Sequence, residues 1–147
     1  MACRVLIDTS LAWVMARGPS YLAEALRAFF RKLGSNGCSI LYSEAVYIDL
    51  RHERREKREQ ILSQLRSLAQ QAPVDMKLLL MRVGRYGATV RKLGLADVLI
   101  ALAAREVGAV LATGDWGQAR FYINIAGADR PPVIYIPVKL ITEAEKR

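Results

Sequence analysis

Two short apolar runs, each closed by an aspartate, constrain this chain more than any other feature. Ala2-Cys3-Arg4-Val5-Leu6-Ile7 ends at Asp8, and Ala109-Val110-Leu111-Ala112-Thr113 runs through Gly114 into Asp115. A run this short, β-branched in part and almost continuously apolar, suits a strand buried on both faces, as in a parallel sheet covered by helices. Cys38-Ser39-Ile40-Leu41-Tyr42, closed by Ser43, and Val133-Ile134-Tyr135-Ile136 read as two further strands.

The segments between these runs carry helical patterns. Thr9 and Ser10 offer capping oxygens ahead of Leu11-Ala12-Trp13-Val14-Met15. A helix over Ser20 to Leu33 places Leu22, Leu26, Phe29, Phe30 and Leu33 at helical spacing and stops at Gly34-Ser35-Asn36-Gly37. From Ala45 to about Gln70 the pattern predicts one helix, with Ala45, Ile48, Asp49 and His52 on a common face, before Pro73 breaks the chain. A third long helix is expected from about Asp75 to Leu93, striped by Met76, Leu80, Val83, Gly87 and Val90. After Gly94, Asp97 opens an apolar helix through Ala104, and Gly127 to Pro132 reads as a loop. Strands alternating with helices predict a three-layer α/β/α sandwich with a mainly parallel central sheet, in a single domain over residues 1–147.

Composition narrows the function classes. The chain carries 22 Lys and Arg against 14 Asp and Glu, a net charge of +8, which favours a polyanionic partner, either nucleic acid or an acidic protein surface. Asp8 interrupts the N-terminal apolar run, so it is not a signal peptide, and no other stretch suits a membrane span. The expectation is a cytoplasmic protein. Cys3 and Cys38 match no zinc pattern and no disulfide framework, and are expected as small buried hydrophobes.

The placing of the acids carries the chemistry. In an open parallel sheet, sites form beyond the carboxyl ends of the strands, and crossovers bring residues distant in sequence to that edge. Clustered carboxylates repel one another, and ionised acids near a core are costly unless compensated. A divalent cation answers both problems. An all-oxygen donor set without accompanying His or Cys points to Mg2+ or Mn2+ rather than zinc. Such ions activate water and stabilise charge on a phosphodiester undergoing displacement. Each acid also has a plain structural role open to it: Asp8 as cap of the first helix, Asp97 as cap after Gly94-Leu95-Ala96, Asp115 as a turn residue after Gly114. The residues alone leave both readings standing.

Val5-Leu6-Ile7-Asp8-Thr9-Ser10 resembles the opening strand of PIN domains, with the first metal-binding aspartate and a neighbouring hydroxyl. Leu95-Ala96-Asp97-Val98-Leu99-Ile100-Ala101 is similar to the motif in which an aspartate opens an apolar helix, and Ala109 to Asp115 resembles the final motif, strand then Thr-x-Asp. The three occur in order over most of the chain, most like the VapC-like toxins of toxin–antitoxin pairs. The second family position is usually Glu-Leu, six residues after a Ser that closes the second strand. Here Ser43 is followed at that spacing by Asp49-Leu50, an acid one methylene shorter, with Glu44 nearby on a different helical face.

The resemblance implies that Asp8, Asp97 and Asp115 hold Mg2+ or Mn2+, that Asp49 helps place the metal or its water, and that Thr9 and Thr113 supply hydroxyls. It implies hydrolysis of RNA, an antitoxin partner and a homodimer. The attack itself needs no 2′-hydroxyl, so RNA is implied by the resemblance and not by the residues. The shorter Asp49 keeps open a second reading, a PIN-like scaffold that binds RNA or protein without turnover.

Basic residues supply candidate phosphate contacts. Arg51, Arg54, Arg55 and Arg58 lie at i, i+3, i+4 and i+7, one face of the expected helix, either as a phosphate track or as a solvated face balanced by Glu53, Glu56 and Glu59. Arg82, Arg85, Arg91 and Lys92 on the next helix either flank a substrate groove or are plain surface. His52, the only histidine, either orients Asp49 or simply packs, and Trp116 and Phe121 either stack a base or pack a loop on the core. Haloacid-dehalogenase phosphatases need a second Asp where Ser10 stands. Receiver domains need an Asp ending a middle strand, but the second strand here ends at Tyr42-Ser43.

Overall fold

A computed structural model describes residues 3–126 and 132–145. Its strands are β1 (Arg4–Ile7), β2 (Ser39–Tyr42), β3 (Gln70–Gln71), β4 (Val110–Thr113) and β5 (Val133–Tyr135). They form one sheet in the order β3-β2-β1-β4-β5, and every pairing is parallel. The last three residues of β1 and of β4 are buried, as the continuous apolar runs require of strands covered on both faces. Ala2 and most of the expected loop, residues 127–131, lie outside the described residues.

Helices cover the sheet. On one side α1 (Thr9–Arg17), α2 (Ser20–Ser35) and α4 (Arg55–Leu68) pack on one another. In a second group, α7 (Leu95–Glu106) contacts α3 (Ala45–Asp49), α5 (Met76–Val83), α6 (Gly87–Leu93) and α8 (Trp116–Ala126). A last helix, α9 (Val138–Glu145), follows β5. The architecture is a three-layer α/β/α sandwich. Every residue of α7 from Val98 to Ala104 is buried, so this helix is the centre of its layer.

Three expectations need correction. The helix expected from Ala45 to Gln70 is broken: α3 ends at Asp49, Leu50 turns into the core, and α4 starts after Arg54. An unbroken helix would have stacked Arg51, Arg54, Arg55 and Arg58 on one face, a repulsive arrangement. The turn disperses them, so only Arg55 and Arg58 belong to α4, and the four do not form a helical track.

The helix from Asp75 to Leu93 is likewise interrupted, by a 3-10 turn at Gly84–Tyr86 between α5 and α6. Gly84 and Gly87 flank the interruption, and glycine favours helix interiors least of all residues except proline. Leu79 faces the core, and Leu80, expected on the apolar stripe, is exposed.

The third correction concerns the cysteines. Cys3 is exposed, Cys38 half-buried, and the two form a disulfide. Parallel register explains it: Arg4 lies opposite Ser39, so the preceding residue of each strand also meets its neighbour, and Ser39 N donates to the Cys3 carbonyl.

Because α7 is buried along most of its length, truncating Leu99, which has no exposed surface, opens a cavity at the centre of one layer. Leu99→Ala is expected to lower unfolding free energy by about 2–5 kcal/mol. Urea denaturation showing a loss below about 1 kcal/mol would contradict this account of the core.

Candidate active site at the carboxyl edge of the sheet

The strand order reverses between β1 and β4, which run side by side while their chain neighbours depart in opposite directions. Crevices at such switch points, outside the carboxyl ends of the strands, are where open α/β sheets bind ligands. Asp8 leaves β1 and Asp115 follows β4 at that point, and Asp8 N donates to the Ala112 carbonyl.

Asp8 is buried, with 2% of its surface exposed. It caps α1, as its plain structural role requires, but only one carboxylate oxygen does this work. Oδ2 accepts from Ser10 N (3.2 Å), Ser10 Oγ (2.6 Å) and Thr113 Oγ1 (3.1 Å). Oδ1 is buried and has no hydrogen-bond partner among the described residues. Burial drives the Asp8 carboxyl above its ordinary range, and the hydrogen bonds from Ser10 and then Thr113 oppose that shift.

Asp97 does not cap its helix. Gly94, at φ 102°, precedes Leu95, and Asp97 stands within the first turn of α7 without any capping hydrogen bond. Partial burial, then the charges of Asp8, Asp49 and Asp115 in that order, push its pKa up to about 8. All three other candidate acids therefore act on Asp97, and the four share one electrostatic environment. Asp49, the exposed last residue of α3, reaches it because α3 packs on α7. Asp49 and Asp97 line a cavity of about 170 Å³ together with Arg51 and His52.

Asp115 accepts from Gln118 N through Oδ1 (3.2 Å), and its carbonyl accepts from Ala119 N, so it starts α8 rather than a simple turn. Gly114 is required beside it: a Cβ there would meet Val138 Cγ2 at 2.7 Å and the Ile136 carbonyl at 3.3 Å.

Of the two expected threonines, Thr113 takes part. Its Oγ1 lies 2.8 Å from Gln118 Oε1 as well as near Asp8, and it accepts from Asp115 N at 3.0 Å. Thr9 Oγ1 is buried with no hydrogen bond among the described residues, and the neighbouring Ser10 binds Asp8 instead. Two residues of this network were not anticipated. Ser10 also accepts from Gly114 N (2.9 Å), which ties the end of β1 to the end of β4. Gln118, wholly buried, donates from Nε2 to the Asp97 carbonyl (3.1 Å) and links three of the four acids. Its signal was present in Asp115-Trp116-Gly117-Gln118, the spacing of a capping box.

The remaining candidates scatter. The exposed His52 accepts from Arg51 Nε (3.1 Å), and no hydrogen bond joins it to Asp49 among the described residues. Arg54 and Arg55 are exposed at the start of α4, and Arg58 is half-buried. Arg82 is paired with Glu106 (2.7 Å), and both line a separate cavity with Arg85. Phe121 packs edge-on against Tyr86, whereas Trp116 keeps 51% of its surface exposed.

The donors suit a hard divalent cation: they are carboxylate oxygens, Asp8 Oδ1 has no hydrogen-bond partner among the described residues, and burial with three neighbouring acids pushes the Asp97 carboxyl up. Among the described residues, no three acids are drawn into a closed ligand set.

The architecture is shared with known structures. A chain from the crystal structure of VapBC2 from Rickettsia felis bound to a DNA fragment from their promoter matches with a TM-score of 0.53 and 17% identity, over 90% of this chain and 97% of that one. A domain of a functionally unknown protein from Methanocaldococcus jannaschii matches with a TM-score of 0.54 and 19% identity, over 92% of this chain and 91% of that one. The chain has a VapC-like, PIN-type fold. No protein-family model matches it, and no curated protein matches its sequence. In this PIN-type fold the candidate acids lie at the carboxyl edge, and among the described residues no helix is long and apolar enough to cross a membrane.

The electrostatics of Asp97 have a measurable consequence. An unfolded chain releases this proton near 3.8, the folded chain near 8. Between those values the folded state binds the extra proton, so metal-free stability falls as pH rises through that window. Without divalent ions, the melting temperature of the native chain should drop more between about pH 5 and pH 9 than that of Asp97→Asn. Parallel pH profiles would show that Asp97 carries no such strain.

Proposed function

We propose that this chain is a divalent-metal-dependent ribonuclease, the toxin of a toxin–antitoxin pair. The observation that carries the reading is the convergence on Asp97 of the charges of Asp8, Asp49 and Asp115. The fold shared with a chain of the VapBC2 structure supports the toxin assignment and an antitoxin partner, and the net charge of +8 suits a polyanionic substrate.

Asp8, Asp97 and Asp115 would hold Mg2+ or Mn2+, with Asp49 assisting from the exposed side. When bound, the ion lowers the pKa of water and neutralises charge developing on the phosphodiester. Ser10 and Thr113 fix one oxygen of Asp8 and leave the other free for that ion. Gln118 holds the backbone of Asp97 and the carboxylate of Asp115 in fixed relation.

A second reading, a PIN-like module that binds RNA or protein without turnover, is favoured by one feature: among the described residues the acids do not form a closed ligand set. Hydrolysis of single-stranded and structured RNA with Mg2+ or Mn2+ separates the two. Asp97→Asn is expected to lower the cleavage rate by about a hundredfold or more, chelation to abolish it, and Asp49→Asn to lower it less. Metal binding without cleavage would support the scaffold. Cleavage indifferent to both Asp97→Asn and chelation would sink the nuclease reading.

A further inference from the structure

A groove of about 720 Å³ opens beside the carboxylates, between the start of α8, β5 and α9. Ser10 and Asp115, both part of the acid network, form one end of it. Trp116 and Tyr135 form its aromatic wall, with ring centroids 5.1 Å apart and planes inclined at 57°. Trp116 is the first residue of α8 and neighbours Asp115 in the chain, yet 51% of its surface is exposed. An indole packed simply to fill the core would not leave this much of itself in water.

We propose that this groove is a stacking subsite for one unpaired nucleobase, with the exposed Trp116 indole as its platform and Tyr135 bracing that ring. The inference rests on the ribonuclease reading above, since it supplies that site with a means of holding the strand. Trp116 directly follows Asp115 in the chain and lines the same groove, so a base on its ring lies beside the acids. Lys139 of α9 lines the same groove and offers a cation to the strand's phosphate, while Glu143, one turn further on, keeps the groove from being uniformly basic.

A second indole lines the groove and is already covered by a lysine that is itself paired with Glu53. Trp13, which also lines the groove, carries Lys57 Nζ over its ring at 4.3 Å from the centroid. Base stacking on aromatic side chains tolerates any sequence, because every base presents a π-face. A duplex already stacks its bases and has no free face to offer. The subsite therefore selects single-stranded segments without reading their sequence.

Binding to the metal-free protein in chelator tests this without any turnover. The chain holds only two tryptophans, so Trp13→Phe leaves Trp116 as the sole indole reporter. A single-stranded RNA hexamer is expected to quench that emission, and a duplex of the same sequence to leave it unchanged. Trp116→Ala should weaken single-strand binding about tenfold, and Trp116→Phe should restore most of it. Equal affinity in Trp116→Ala and wild type would overturn the proposal, as would quenching by the duplex as strong as by the single strand. Emission unmoved by the single strand would also overturn it and leave the groove to an apolar protein segment. The ribonuclease reading is judged separately, by cleavage in Asp97→Asn.

Discussion

Parallel pairing of β1 with β4 is the constraint from which the candidate site follows. Neither strand connects directly to the other in sequence, and β2 and β5 continue the sheet outward on either side. The pairing brings Ile7 beside Ala112, and the residues that follow then emerge at one edge. Ser10 and Thr113 fasten that edge through Asp8 and Gly114. A carboxylate held so tightly on one oxygen and left bare on the other is a directed acceptor, aimed before any ligand arrives.

Electrostatic strain and geometric order are connected in this arrangement. Four acids near one another would spread apart if their supports were soft. Here they stand on a strand end, two helix starts and a helix end, with Gln118 bridging two of those elements. Partial burial, and then the repulsion of the other three acids, keeps the Asp97 proton on up to about pH 8. Stability is thereby reduced at neutral and alkaline pH to keep a concentrated negative potential in one crevice, a trade common at functional sites.

Burial on both faces leaves an unbroken apolar signature, and this made β1 and β4, with the aspartates that follow them, legible in the sequence. Val5-Leu6-Ile7 and Val110-Leu111-Ala112 carry that signature and can hardly be read otherwise. Long helices were less legible, since periodicity continues across a break whenever the turn is built from polar residues, as at Arg51 to Arg54. β3 was invisible because two exposed glutamines carry no strand signal, and they enter the sheet only by pairing with Leu41 and Tyr42. α8 and α9 were also not anticipated, although Asp115 and Gln118 mark the start of α8. Resemblance drew attention to Thr9, and only three-dimensional packing shows that Ser10 reaches Asp8 instead.

The Cys3–Cys38 bridge lies at the opposite end of the sheet from the acids, ahead of β1 and β2. Cys3 stands five residues before Asp8, and Cys38 stands five residues before Ser43. Ser43 in turn launches α3, which carries Asp49. The bridge therefore works as an index pin between two parallel rails. A slip of one residue between these paired strands would change how far Asp49 stands above Asp8. Fixing the near ends of the rails fixes the spacing of two carboxylates at their far ends.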